Sequence, residues 1–154
     1  MVEMAHTYFA EFITKGNSEL AGQLFDENVV HKDIVWDASH PIAGIGGMQK
    51  YVSALRGAYP DFWVEIDQIG TCDVNSIFVT YEGSATNLGS YHEHKPSRHT
   101  SNFQGCNLIK FNHDRSKITE IIVYRSAFAE DKLELGEKEV DGGNLREIRL
   151  RRLI

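Results

Sequence analysis

The alternation of apolar and polar residues between positions 102 and 125 predicts a long β-hairpin. Two segments rich in β-branched and aromatic residues, 102–111 and 117–125, flank a polar turn. Because side chains alternate between the faces of a strand, one face of the first segment carries Phe103, Gly105, Asn107, Ile109 and Phe111. Burying an amide costs roughly a few kcal/mol unless it is hydrogen-bonded. We therefore expect Asn107 either to bind a ligand or to bond a partner side chain.

Helical spacing of apolar residues predicts three helices in the first 60 residues. The first carries Ala5, Tyr8, Phe9, Phe12 and Ile13 and ends near Gly16. A short second helix is expected to be capped by Ser18, to include Phe25 and to end at 26–28. The third carries Met48, Tyr51, Val52 and Leu55. It ends before Pro60, because a proline disfavours the helical conformation of the residue that precedes it.

Strands are predicted between and after these helices. Residues 29–36 alternate, with His31, Asp33 and Val35 on one face. Four more strands are expected at 62–69, 77–84, about 99–111 and 118–125. These elements define one domain over residues 1–130. The charged residues 131–154 form an extension whose arginine-rich end fits an edge strand, a helix on a partner subunit or a frayed terminus.

Composition narrows the possible classes of protein. A chain of 154 residues buries roughly 70% of its surface as one domain and needs no metal or disulfide to fold. The net charge of -6 argues against a nucleic-acid partner. Cys72 and Cys106 are far apart and fit a reduced chain. No apolar run approaches the ~20 residues of a membrane span, so a cytoplasmic protein without a membrane partner is expected.

Three segments carry a resemblance to a known family. AYPDFWVEI at 58–66, the preceding GGMQKYVSAL at 46–55 and KITEIIVYRS at 117–126 resemble the SnoaL-like polyketide cyclases of the nuclear transport factor 2-like superfamily. The resemblance covers about residues 4–130. It implies a cone-shaped α+β fold, with three N-terminal helices packed in the concave face of a curved, mainly antiparallel sheet. The superfamily includes cyclases, isomerases, dehydratases and non-catalytic adaptors, so the activity stays open.

The resemblance also suggests positions for the chemistry. The usual acid/base positions of the cyclases, a histidine and an aspartate, fall on Ile121 and Ser126, so both groups are missing here. LFDENVVHKD at 24–33 resembles the segment of ketosteroid isomerases that ends in the general base, which implies that role for Asp33. The two oxyanion donors of those isomerases fall on Asn107 and Phe9. Tyr8 is adjacent but about 100° around an α-helix, so it is not expected to replace the lost donor.

Asp33 and His31 are the strongest catalytic candidates from the residues themselves. They lie two positions apart on one strand, so they face the same side and could share a proton. Loss of solvation in an apolar cavity raises the pKa of a carboxyl toward the range that suits a base. The alternative is a solvated pair at the edge of the sheet. Together with Asn107 these two residues form the predicted catalytic set.

Aromatic residues are the candidates for ligand contacts, because aromatic walls with a few polar tips are typical of small-molecule sites. Tyr81 and Tyr124 are favoured, since a buried hydroxyl needs a partner. The remaining candidates, which could instead be ordinary core residues, are Phe9, Trp36, Trp63 and Phe103. The histidines and glutamate at 92–94 and 99 lack converging spacing and are expected to form a solvated loop. No metal or cofactor is expected.

Two functions remain compatible with these residues. One is a cofactor-independent acid–base enzyme that isomerises, cyclises or dehydrates a small hydrophobic carbonyl compound. The other is a non-catalytic ligand-binding or dimerisation module. In both, Asp33, Asn107 and Tyr81 should line one cavity of a few hundred Å3. A homodimer is expected through the outer face of the sheet, where Phe78, Leu108 and either Ile121 or Val123 would be exposed.

Overall fold

Six strands form the sheet in the computed structural model, which describes residues 1–35, 40–90, 94–128 and 130–131. The strands are β1 (Phe25–Asp33), β2 (Ile42–Ala43), β3 (Trp63–Asp73), β4 (Ser76–Thr86), β5 (Thr100–Phe111) and β6 (Ile118–Arg125). Their order across the sheet is β2-β1-β6-β5-β4-β3. All neighbours are antiparallel except β1 and β6, which run parallel. The sheet is therefore mixed, and the fold is α+β.

The predicted hairpin is confirmed as β5 and β6. Its register pairs Asn107 with Val123 and Gly105 with Arg125. The predicted strands at 62–69 and 77–84 are confirmed as β3 and β4, although β3 extends further, to Asp73, before a tight connection to β4. The extra length arises because backbone pairing with β4 continues to the turn, beyond the part of β3 with a regular alternation.

The first helix changes geometry half-way. α1 (Val2–Thr7) continues without a break into a π-helical segment, Tyr8–Thr14, and Gly16 follows at φ +73°. That φ is in the left-handed region, which glycine adopts without steric cost and which ends helices. Gly16 is therefore the helix stop that the sequence predicted.

The prediction for the second helix is wrong at both ends. Ser18 begins a 3-10 turn, Ser18–Leu20, and no side chain caps it. The following α2 is only Ala21–Leu24, and Phe25 is already in β1, paired with Ile118 of β6. Pairing with a neighbouring strand overrides the local helical pattern here. α3 (Gly44–Ala58) ends before Pro60 as predicted.

The helices cover one face of the sheet, and aromatic side chains fill the layer between them. The ring centroid of Phe12 is 5.0 Å from that of Phe25 in β1, and the ring of Phe9 is 5.1 Å from that of Tyr81 in β4. The opposite face carries the ion pairs that Glu120 makes with Lys32 and Lys110. The sheet thus has one face in the core and one in solvent. None of the described helices is long and apolar enough to cross a membrane.

The residues on the outer face differ from those predicted. Ile121 and Val123 are buried in the core, because the alternation of β6 directs them inward together with Arg125. The outer row instead joins Phe78, Leu108 and Ile122, which are paired across β4, β5 and β6. Of the predicted C-terminal extension, residues 132–154 lie outside the described part of the chain.

Candidate functional site

A cavity of about 830 Å3 lies between the sheet and the helices. Its walls are mostly apolar and include the rings of Tyr8, Phe9, Tyr51, Phe62, Tyr81, Phe103 and Phe128. Its charged and amide-bearing lining includes Asp33, Asn107 and Arg125. The volume is near the upper end of the range for small-molecule sites, roughly 300–1,000 Å3, and exceeds the few hundred Å3 expected from the sequence.

Asp33 and Asn107 lie in one row across the sheet. Asp33 of β1 is paired with Val123 of β6, and Val123 is paired with Asn107 of β5. Both side chains belong to the lining of the cavity. Two strand spacings of about 4.8 Å each separate their Cα atoms by roughly 10 Å. Val123 lies between them in the same row and also lines the cavity, so a ligand resting on Val123 is placed to contact both the carboxylate and the amide.

Gly105 allows Tyr81 to reach Asn107. Tyr81 of β4 is paired with Gly105, and its ring lies where a side chain on Gly105 would be: a Cβ there would be 2.5 Å from the Tyr81 hydroxyl oxygen. The hydroxyl donates a hydrogen bond to Asn107 Oδ1 at 2.9 Å. Among the described residues, Asn107 Nδ2 has no acceptor. Burial raises the pKa of Tyr81 and Arg125 opposes that shift, so the phenol stays protonated.

The sequence suggests that the Asp33 carboxylate is an isolated group in apolar surroundings. In the structure it has polar partners. Its Oδ2 accepts a hydrogen bond from Arg125 Nε at 2.8 Å, and its Oδ1 accepts one from the backbone N–H of Val35 at 2.9 Å. The carboxylate is therefore held at both oxygens. Sequence reasoning missed Arg125, although the alternation of β6 places it on the same face as Val123.

Arg125 is held in turn by the segment after β6. Nη1 and Nη2 of Arg125 donate to the two carboxylate oxygens of Asp131 at 2.6 and 3.2 Å. The guanidinium carbon also lies 4.4 Å from the centroid of the Phe128 ring. Asp131 Oδ2 accepts the backbone N–H of Phe128 at 2.6 Å. Arg125 thus links the segment after β6 to the cavity.

His31 does not line the cavity and does not share a proton with Asp33. Its ring lies 4.6 Å from that of Tyr51 in α3, and neither ring nitrogen has a hydrogen-bond partner within the described ranges. Burial lowers the pKa of His31 from 6.5 to about 4, against an opposing effect of Asp33. The imidazole is therefore neutral at neutral pH.

The π-helical segment brings both Tyr8 and Phe9 to the cavity. The expectation that Tyr8 does not replace the lost donor, which assumed the step of about 100° between successive α-helical residues, stays a prediction. Burial raises the pKa of Tyr8, and Tyr51, Tyr81 and Asp33 add smaller effects in the same direction. Tyr8 is thus a neutral phenol in the lining of the cavity, on the apolar stripe that the sequence predicts for the first helix.

Two of the predicted aromatic contacts are on the wrong face of the sheet. Tyr124 is 48% exposed, and its alternation in β6 directs it away from the cavity. Trp63 is 43% exposed and lies in a separate groove, with Gln104 and Ser126 among its lining residues. Phe9 and Phe103 do line the cavity. Trp36 is outside the described residues, as are His92 and Glu93.

The positions that carry acid/base groups in the cyclases play structural roles here. Ile121 is fully buried in the core. The Ser126 hydroxyl accepts the backbone N–H of Gln104 at 3.1 Å and so extends the contact between β5 and the segment after β6. Neither residue lines the cavity, and the polar groups of this site are therefore different ones.

The fold and the aromatic cavity define the class of protein. A mixed sheet covered on one face by helices is also the fold of solved proteins described as nuclear transport factor 2-like and as ketosteroid isomerase-like. The chain belongs to the SnoaL-like domain family, whose sequence profile matches residues 5–121. A comparison with curated protein sequences finds no match.

Solved structures support the same fold. A protein of Jannaschia sp. CCS1 described as a SnoaL-like polyketide cyclase has a TM-score of 0.73 and 13% identity, over 89% of this chain and 92% of its own. AclR of Streptomyces galilaeus, described as a hydroxylase, has a TM-score of 0.66 and 14% identity, over 90% and 96%. A ketosteroid isomerase-like protein of Catenulispora acidiphila DSM 44928, solved with trimethylamine, has a TM-score of 0.64 and 11% identity, over 79% and 84%. Similarity at these identities shows the fold alone.

Proposed function

We propose that this protein binds a small hydrophobic carbonyl compound in the cavity and moves a proton on it without a cofactor, in a reaction of the isomerase, cyclase or dehydratase type. The observation that carries the proposal is the placement of the Asp33 carboxylate and the Asn107 amide in one row of an apolar cavity. A base and a hydrogen-bond donor that contact the same ligand are the groups that enolisation requires.

In this mechanism Asp33 takes a proton from the carbon next to the ligand carbonyl. The electrons of the broken C–H bond form a C=C bond, and the carbonyl π electrons move to oxygen. Asn107 Nδ2 donates a hydrogen bond to that oxygen as its charge develops, while Tyr81 holds Oδ1 of the same amide. Asp33 then returns the proton to the ligand. His31, neutral and outside the cavity lining, contributes no charge to these steps.

The test follows the proton directly. In D2O, enzymatic enolisation replaces the acetyl protons of 2-acetylnaphthalene, an enolisable aromatic ketone, by deuterium, which proton NMR detects. Other enolisable ketones and polyketide-like esters complete the panel. Asp33→Asn should abolish exchange while the protein stays folded, and Asn107→Ala should slow exchange by up to roughly 100-fold. Asp67→Asn, the same change on the outer face of β3, is the matched control.

A specific observation favours the second candidate, a non-catalytic binding module. Asp33 is already paired with Arg125, and the cyclase acid/base positions hold Ile121 and Ser126. Such a module would bind several members of the panel with an affinity that falls in Asn107→Ala, yet exchange none of their protons above the rate in buffer. That combination of results would replace the enzyme by a ligand-binding protein.

We also propose that the outer face of the sheet pairs two copies of the chain. Phe78, Leu108 and Ile122 form an apolar row across three strands, and Tyr124 lies half-exposed in the neighbouring row. A continuous apolar surface on a sheet is a common basis for association of identical subunits.

A further inference from the structure

A buried chain of three charged groups connects the cavity to the segment after β6. It consists of Asp33, Arg125 and Asp131, here called the acid–arginine triad. Arg125 Nε donates to Asp33, and both Nη atoms donate to Asp131. The side chains of the three residues are 11%, 9% and 0% exposed. Asp131 is therefore the most deeply buried member, although it is not among the residues that line the cavity.

Stability alone is a weak reason for such a triad. Removing charges from water costs several kcal/mol per ion, and well-packed apolar residues in place of a buried ion pair are often as stable or more so. Asp131 moreover acts on one side of the guanidinium while Asp33 occupies the other. The arrangement specifies an orientation, which apolar packing would not do.

The contacts of Arg125 show how its orientation is fixed. Two parallel N–H···O bonds to Asp131 define the plane of the guanidinium, because a bidentate pair permits one geometry. The guanidinium carbon lies over the Phe128 ring, 4.4 Å from its centroid, and Nη1 also donates to the backbone oxygen of Ser126 at 3.3 Å. Only the Nε edge is then directed at Asp33. Without Asp131 the guanidinium could turn its two-nitrogen edge to Asp33 and bind both carboxylate oxygens.

We infer that Asp131 is a positioning residue: by fixing Arg125 it limits the contact with Asp33 to one N–H and keeps that carboxylate directed at the ligand. The inference rests on the proton transfer proposed above. Arg125 and Asp131 both lie outside residues 5–121, the part of the chain that matches the family profile. The triad therefore adds to the site a feature that the family match does not contain.

The experiment compares rate with affinity for 2-acetylnaphthalene. Asp131→Asn should slow deuterium exchange at saturating ketone by on the order of tenfold, since small displacements of a catalytic group have large effects on rate. The dissociation constant of the ketone should change by less than about twofold, because Asp131 does not touch the ligand. Arg125→Lys should be slowed as well, since an ammonium cannot replace a planar fork.

Glu130→Gln is the matched control for damage to the same segment. Glu130 is buried beside Asp131, but its carboxylate accepts hydrogen bonds from the hydroxyls of Tyr59, at 3.1 Å, and Ser97. This variant should exchange the acetyl protons of the ketone at close to the wild-type rate. The inference is overturned if Asp131→Asn exchanges the ketone protons as fast as wild type. It is also overturned if Asp131→Asn and Glu130→Gln both lose exchange rate and ketone affinity together.

A second measurement applies even if the wild-type protein exchanges no proton, a result that would refute the proposed function alone. Asp33→Asn and Asp131→Asn each leave Arg125 one carboxylate of the triad, whereas the double variant leaves it neither. The urea midpoint of the double variant should therefore fall by more than the sum of the two single losses. In an Arg125→Met background the two losses should be additive. Simple additivity in the presence of Arg125 would mean that the triad does not act as a unit.

Discussion

The imidazole of His31 makes folding stability depend on pH. It is 1% exposed and packs against Tyr51, and burial lowers its pKa from 6.5 to about 4. Between these two values the unfolded chain binds a proton that the folded protein does not. Stability is therefore complete above pH 6.5 and decreases as the pH falls toward 4.

We predict that His31→Phe removes this part of the acid sensitivity. The difference of about 2.5 pKa units corresponds to about 3 kcal/mol of unfolding free energy at pH 4. Urea unfolding from pH 7 to pH 4 measures it: the wild-type curve should fall more steeply than that of the variant. His6→Gln, which alters an exposed histidine of α1, should follow the wild type. Parallel curves for His31→Phe and wild type would contradict the prediction.

The absence of a side chain at Gly105 is needed for the contact between Tyr81 and Asn107. We predict that Gly105→Ala destabilises the protein by about 1–3 kcal/mol, because the new Cβ would displace the tyrosine and leave a buried polar group unpaired. The urea concentration at the midpoint of unfolding and the affinity for the ketone should both decrease. Gly46→Ala in α3 is the control, since a Cβ added there would meet no atom within 4 Å and alanine favours helices.

Asn107 and Arg125 differ in how far a sequence predicts them. The alternation of one strand is enough to place the Asn107 amide in the interior. Arg125 lies on the inner face by the same rule, but an arginine at the end of a strand is usually solvated. Its burial depends on Asp33, 92 positions earlier in the chain, and such a pairing becomes visible only with the register of the sheet.

At the scale of elements, the change from α- to π-helix within the first 14 residues is not predictable from the spacing of apolar residues. The spacing of buried residues in Tyr8–Thr14 is compatible with an α-helix as well as with the wider π turn that forms. The choice between them therefore depends on how the segment packs on the sheet, where the ring of Phe9 contacts that of Tyr81 in β4. β1 similarly begins at Phe25 because β6 offers it hydrogen bonds. Both features depend on contacts that are distant in sequence.

The ion pairs of Glu120 contribute to the stability of the parallel pairing of β1 and β6, and a substitution of Glu120 measures that contribution. Its carboxylate bonds Lys32 of β1 at 2.7 Å and Lys110 of β5 at 2.6 Å, and these contacts, led by Lys110, lower its pKa. Because the pairs are partly exposed, we predict that Glu120→Gln costs at most about 1 kcal/mol and that the loss shrinks in about 1 M salt. Thermal unfolding at two salt concentrations measures it. Glu65→Gln on the outer face of β3 is the control, and a loss independent of salt would exclude an electrostatic cause.

At the scale of the whole molecule, we predict a homodimer that depends on the outer row of the sheet. Leu108→Lys places a charge between Phe78 and Ile122 and should convert the dimer to a monomer without unfolding it. Light scattering at micromolar concentration gives the mass. Thr80→Lys, on the same face of β4, separates a general effect of charge from loss of the apolar row. A wild-type mass equal to that of one chain would contradict the dimer.

The overall architecture was predictable because it depends on periodicity and on the family resemblance, both of which extend along most of the chain. The two residues of β2 are too few for any periodic signal, and their pairing with β1 is formed by the antiparallel register of Val30 with Ala43. The cavity could be expected from the class of fold. Its charged end could not, since it combines strands β1 and β6 with the segment that follows them.

The position of β6 in the sheet affects the order in which the newly made chain can fold. β6 is the last described strand in sequence, yet it lies between β1 and β5 and is the only described strand that joins the first part of the chain to the β3–β4–β5 meander. During synthesis β3, β4 and β5 can pair as soon as they leave the ribosome, whereas β1 must wait for residues near 125. About a hundred residues separate Phe25 from its partner Ile118, and closing so long a loop is slow. Until then the aromatic side chains of the first helix have no complete sheet to cover.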